Sequence, residues 1–438
     1  MAGCSTPTDT TTTTSTSETA TAPPAPPALV PPQLGPMLTL GQGSGEPNVA
    51  VAPDGTIYVT PIDHVYRSDD GGATFTDLGT SQTKGHGDGD IAIDATGRIH
   101  WLGLFDGSNA IPYQFPDDRG ESFSKVVDVS KKTGSDREWI DVTPDGHVYA
   151  AWRDGSQGYS FNTSPDGGKT WGDKVKVADD TLGGPIIHDT TQMSRLYIPA
   201  VDFSGVIAGG SPTQEAQIVV MISNDTGASW SKTVIASSRG SPGDIFSTSI
   251  FPVMAADRAG NLYLVISLKQ DTAPGAAPKQ GTQYGVYLYK SSDHGVTWGA
   301  PLLVSPSLKV AIMPWIAAGA TGSIAITYYQ NTLGLPNENL PDEWDVMLLE
   351  AVDADAGAPH FQAAKLTDTP NHIGAVCTSG TACLAGDRSM LDFFEVAIQP
   401  NGYPVAAWAS STAGTGIGLA VQGTDIQARA VTGGTSLI

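Results

Sequence analysis

The pattern Ser-x-Asp-x-Gly-x-Thr-Trp at residues 291–298 constrains this chain more than any other stretch, because it recurs. Ser68-x-Asp70-x-Gly72-x-Thr74-Phe75, Ser164-x-Asp166-x-Gly168-x-Thr170-Trp171 and Ser223-x-Asp225-x-Gly227-x-Ser229-Trp230 repeat it closely. Pro116-x-Asp118-x-Gly120-x-Ser122-Phe123 is looser, and Asp355-x-Gly357 with Phe361 is a worn copy. A recurring unit decides architecture before any single residue does. Glycine takes backbone angles that other residues resist. Aspartate and hydroxyl side chains bond nearby backbone N–H groups. The closing aromatic starts a strand and packs inward. Each copy therefore predicts a β-hairpin with a hydrogen-bonded turn, and gives Asp70, Asp118, Asp166, Asp225 and Asp293 structural roles.

A second repeat interleaves with the first. Apolar runs turning at Gly55, Gly97, Gly146, Gly260, Gly322 and Gly402, and one near Ser194, read as plain hairpins. All but the last are followed by an aspartate turn or its remnant. The last is followed by GIGLAVQGTDIQARAV, which reads as another plain hairpin. Two hairpins make four strands, and seven such modules succeed one another. The fold class is thus all-β, a β-propeller of four-stranded antiparallel blades over residues 37–438. Seven blades are expected, with six as the alternative if the first or last module belongs to a shared blade. No amphipathic helix of any length is evident.

Composition agrees. The 438 residues include 51 Gly and 31 Pro, and only 16% are charged, which suits short strands and tight turns. The formal net charge of −22 repels phosphate backbones and excludes nucleic acid as a partner. Export and divalent-cation binding both fit such a charge, so Ca2+ is kept as a candidate ligand, with no cofactor required. No apolar run is long enough to span a membrane. Residues 1–36, rich in Thr, Ser, Pro and Ala, cannot form a core and predict a disordered tether. Ala2-Gly3-Cys4 resembles the end of a bacterial lipoprotein signal, with Cys4 lipidated; a plain disordered start is the alternative. Membrane contact is expected only through that anchor, on a monomer outside the cell or at its surface. Cys377 and Cys383, six apart, suggest a local disulfide and an oxidising compartment.

The aspartate turns resemble the Asp-box, or BNR repeat, of the sialidase superfamily. The resemblance implies that these turns and the plain glycine turns share one face. The ligand site then lies on the other, where inner strands begin. It implies an exported protein acting on carbohydrate, an exo-glycosidase of the sialidase type cleaving an acidic glycan terminus. A non-catalytic propeller binding glycan or protein at the cell surface is the alternative from a different class.

Inner strands aligned on their turn glycines locate the candidates. Nine and seven residues before the glycine stand Glu46 and Asn48, Asp88 and Asp90, Arg137 and Trp139, Phe251 and Val253, Met313 and Trp315, and Phe393 and Glu395, with Asp392 adjacent. Polar groups thus gather in blades seven, one, two and three, and predict an off-axis pocket there. His86, Asp88 and Asp90 alternate with glycine and point to one side of a strand. Two carboxylates so placed suit Ca2+, or a general acid if crowding raises one pKa. The resemblance implies that Arg137, Arg153 and Arg388 hold the substrate anion and that Asp88 or Asp90 donates a proton. Glu138, or a tyrosine such as Tyr328, would be the nucleophile or its helper, with Glu46 and Trp139 lining the site. The chain departs from the superfamily in lacking its Phe-Arg-Ile-Pro start; Glu46-Pro47-Asn48 stands there instead. For each Asp–Arg pair, an ion pair tying adjacent blades is the competing assignment.

Overall fold

The computed structural model describes residues 1, 3, 29–43, 45–61, 64–80, 85–105, 111–114, 119–120, 122, 124–130, 135–155, 158–179, 181–202, 217–237, 251–269, 284–378, 388–390, 392–411 and 424–438. They form seven antiparallel sheets of four strands each, arranged as a β-propeller, with no α-helix among the described residues. The innermost strands are Asn48–Val51, Gly85–Ile93, Ser135–Val142, Thr181–Gly183 with Ile187–His188, Val253–Ala256, Ala311–Ala318 and Glu395–Ile398. Three blades have one strand broken in two. The break falls in the inner strand of blade four, the outer strand of blade six (Gln362–Lys365 and His372–Gly374) and the outer strand of blade seven.

Blade seven departs from the expected pair of hairpins. Its third strand is Thr424–Gly433, and its fourth comes from the other end of the chain. Leu38–Gly43 and Gln33–Leu34 pair antiparallel with that strand, so the two termini close the ring within one sheet. Gly35 N–H donates to Ala430 O at 2.9 Å and Arg429 Nε donates to Gly35 O at 2.8 Å. A strand thus begins inside the stretch that composition assigned to the tether. Cys4 and the rest of its motif lie outside the described residues, apart from Gly3.

The four close aspartate turns are built alike. Ser68 Oγ donates to Asp70 Oδ1 and accepts the Gly72 N–H, while Thr74 donates its N–H and hydroxyl to Asp70. The same four bonds recur around Asp166, Asp225 and Asp293, all between 2.6 and 2.9 Å. The turn glycine also lets blades approach. A Cβ on Gly168 would lie 1.8 Å from the Tyr113 hydroxyl of the preceding blade. Asp118 lies outside the described residues. In blade six the worn copy is displaced. Ala351 pairs with Ile324 as Ser68 pairs with Ile57, so Asp353 holds the aspartate position, two residues before Asp355. Asp353 accepts the His360 N–H at 2.9 Å and contacts its Nδ1 at 2.7 Å.

Candidate functional site

The start of the inner strand in blade three sets the geometry. Asp136 pairs with Arg153 and Trp139 with Ala151, so Arg137 and Glu138 bulge out opposite one residue. Arg137 has φ +52°, and its N–H donates to Asp88 Oδ2 of blade two at 3.0 Å. Glu46 and Met313, at the matching positions of blades one and six, have φ +47° and +53°. The strained backbone turns these side chains out of the regular alternation and toward the axis.

Aromatic rings close that axis. Trp139, Phe251, Trp315 and Phe393, from four blades, meet with centroids 4.8 to 6.2 Å apart, and all are buried. The Arg137 guanidinium lies over the Phe251 ring, 5.3 Å from its centroid. Trp139 Nε1 donates to Gly183 O at 3.3 Å. Trp139, expected to line a pocket, is instead part of this plug.

Around the plug lie seven carboxyl groups: Glu46, Asp88, Asp90, Asp136, Glu138, Asp392 and Glu395. Five of them, all but Asp88 and Asp136, are buried. Arg137 bonds Asp392 at 2.6 Å and Arg388 bonds the same carboxylate at 3.3 Å. Burial opposes the charge on Arg137, but Asp392, Asp88, Asp136 and Glu46 together hold its proton more tightly than usual. The acids respond in the opposite sense. Burial, then Asp88 and Asp392, push the Glu46 carboxyl well above the usual range. Burial, then Asp88, does the same to Glu138, whose two oxygens have no hydrogen-bond partner among the described residues. Asp136, half-exposed, is raised by partial burial and by Asp88, against Arg137 and Arg153.

A deeper layer stitches blades together. Asp90 accepts the Ile140 N–H at 2.8 Å, and Glu395 accepts the Val49 N–H at 2.9 Å. Asn48 Nδ2 donates to Gly89 O at 2.7 Å. Asp141 accepts the His188 N–H at 2.6 Å. Each bond joins an inner strand to that of the next blade. Burial raises the pKa of both Asp90 and Glu395.

The sequence candidates thus divide. Glu46, Asp88, Arg137, Glu138 and Arg388 come together at the expected blades, with Asp392 and Asp136. Asp90 lies beneath them as a blade-to-blade bond. Arg153 is half-exposed at the rim, 3.6 Å from Asp136. Tyr328 is buried in the apolar core, its hydroxyl pKa raised by burial alone, with no charged group of the cluster acting on it. Among the described residues, no three His, Cys, Asp or Glu side chains are placed to hold a metal ion. Cys377 is disulfide-bonded, while Cys383 lies outside the described residues, as does the His86 side chain. The sequence did not reveal the plug. Its signal is the aromatic or apolar character of the aligned positions in blades five, six and seven, which converge only in a closed ring.

No protein-family model matches the chain, and no curated protein matches it. Solved structures do. A polysaccharide lyase of family PL25, an ulvan lyase, is 15% identical over 88% of this chain and 93% of its own, with a TM-score of 0.54. YCF48 bound to D1 peptide is 12% identical over 93% and 99%, with a TM-score of 0.52. The microbial sialidase Hz136 is 11% identical over 86% and 73%, with a TM-score of 0.46. The likeness to the first two shows the propeller fold.

Proposed function

We propose that the protein is an exported propeller that acts on carbohydrate, with the glycan meeting the rim formed by Asp88, Asp136 and Arg153. Asp136 is the observation on which this reading rests. It is a half-exposed carboxyl that retains its proton beyond the usual range because of partial burial first and of Asp88 beside it second, against Arg137 and Arg153. Such a group can protonate a glycosidic oxygen, with the Asp88 carboxyl beside it as the second acid of the pair. Arg153, half-exposed and paired with Asp136 at 3.6 Å, is the rim cation that ligand hydroxyls or a carboxylate would meet. The fold likeness to an ulvan lyase gives carbohydrate chemistry a precedent on this scaffold. The disulfide at Cys377 supports export, and a lipid anchor at Cys4 fits the same route.

Cleavage of an acidic terminus by three converging arginines is the weaker form of this reading. Arg137 and Arg388 are both engaged by Asp392. The aromatic plug favours a second reading, a non-catalytic glycan-binding propeller whose ligand lies across the rim.

A panel of fluorogenic glycosides and polysaccharides, followed for released sugar and for unsaturated ends, separates these readings. The enzyme reading expects turnover that falls at least about 100-fold in Asp136→Asn. Retention on a glycan array without turnover selects the binder. Absence of both turnover and retention across the panel overturns the proposal.

A further inference from the structure

Among the bonds that join one inner strand to the next, the one between blades three and four stands apart. Asp90 and Glu395, which accept backbone N–H groups at their junctions, are buried. Asp141 and His188 reach solvent, with 18% and 21% of their side chains exposed. Asp141 Oδ2 accepts the His188 backbone N–H at 2.6 Å and also contacts the ring Nδ1 at 2.7 Å. His188 belongs to the inner strand that is split into Thr181–Gly183 and Ile187–His188. Blade three holds the first piece through Trp139 Nε1, which donates to Gly183 O at 3.3 Å. The Tyr159 hydroxyl donates to Gly184 O at 3.2 Å. The second piece is held through Asp141, which lies two residues along the strand from Trp139 of the plug.

Burial opposes a charge on His188, but Asp141 outweighs it by charge and by hydrogen bond. Asp189 and Asp145 act in the same sense, and the His188 pKa is raised. Those two acids have partners of their own. Asp189 accepts the Tyr197 hydroxyl at 2.6 Å and contacts His294 Nδ1 at 2.7 Å. Asp145 lies 3.2 Å from His147 Nδ1. Burial, then Asp141 and Asp145, raise the Tyr149 phenol, so it stays neutral. On the other side, Val253–Ala256 of blade five brings no titratable group. Asp257, which follows it, accepts from Tyr263 at 3.0 Å and Asn261 at 2.9 Å. Histidine is the side chain that changes charge near neutral pH. A charge-assisted bond is about twice as strong as a neutral one, so losing the proton weakens this contact without removing it. A raised folded pKa stabilises fully below the unfolded value of about 6.5, and that gain is lost as pH rises through the folded value.

We infer that Asp141 and His188 form a pH-sensitive latch between blades three and four, tight in acid and loosened in base. Loosening frees the split strand first. Gly183 belongs to that strand, so the release reaches the Trp139 corner of the plug, on the strand that also carries Arg137 and Glu138.

Two measurements on the full chain test this. Histidine ring NMR follows His188, assigned through its own backbone amide. It is expected to titrate above about 6.5, and in Asp141→Asn to move down to that value or below. Amide exchange, corrected for intrinsic rate, follows residues 183–189. Protection there is expected to fall at least about threefold between about pH 6 and pH 9, which corresponds to roughly half a pKa unit. In His188→Gln, neutral at every pH, that fall is expected to vanish, while Ile57–Thr60 of blade one exchanges alike in both proteins. A His188 that titrates at or below about 6.5 in the unsubstituted chain overturns the inference. So does protection that is flat with pH, or that falls equally in His188→Gln. Neither readout involves a glycan, so the latch and the rim reading fail separately.

Discussion

At the scale of the residue, carboxyl groups meet opposite fates in exposed turns and in the buried core. Asp70, solvent-exposed in its turn, accepts bonds from Thr74 and Ser68, which lower its pKa to about 2. Asp166, Asp225 and Asp293 are lowered by equivalent bonds. A depressed folded pKa stabilises above the unfolded value and is lost as pH falls. The turns should therefore weaken between about pH 4 and pH 2. Asp70→Ala should cost a few tenths to about 1 kcal/mol, since the site is exposed, measurable in urea at pH 7. Glu350 runs the other way. It is fully buried, has no partner for either oxygen among the described residues, and burial raises its pKa to about 7. A raised folded pKa favours the native state below the unfolded value and is lost as pH rises through about 7. Glu350→Gln should flatten the decline between pH 4.5 and 7, and raise stability at pH 8 by on the order of 2 kcal/mol. Equal pH slopes for the two proteins would refute this.

At the scale of the element, the hairpins were readable because each is local. Gly55, Gly97 and Gly146 turn where expected, all with φ near +90°. The worn turn in blade six was misplaced by two residues. Its insertion hid the register that Ile324 and Ala351 reveal. The outer strand of blade seven could not be read at all, since its partner lies some 390 positions away, as the Gly35–Ala430 bond shows. Nothing local distinguishes an edge strand paired at long range from a linker. Removing residues 29–43 should expose the edge of Thr424–Gly433 and abolish a cooperative melt, with aggregation detected by light scattering. A melt unchanged by that deletion would mean that closure contributes nothing.

At the scale of the whole molecule, the ring makes one plug from four blades. Trp139→Ala should cost about 3–5 kcal/mol, because neighbouring blades cannot collapse into the space, and calorimetry would record the lowered Tm. Charge is the other global property. With a net −22, acidic oligosaccharides should bind more weakly than neutral ones of equal length. Raising salt should narrow the gap, because screening reaches exposed charges first. A preference for acidic glycans at low salt would instead restore the three-arginine reading.

The sequence by itself determined the turns, the strand periodicity, the number of modules and the blades where polar groups gather, because these follow from neighbours within a few residues. Only the closed ring decided which of those groups face solvent. Arg137 and Arg388 share one aspartate, Asp90 becomes a bond between blades, and Tyr328 is sealed in the core. Whether a carboxyl ionises depends on what other blades place beside it, and that information exists only once the termini have met.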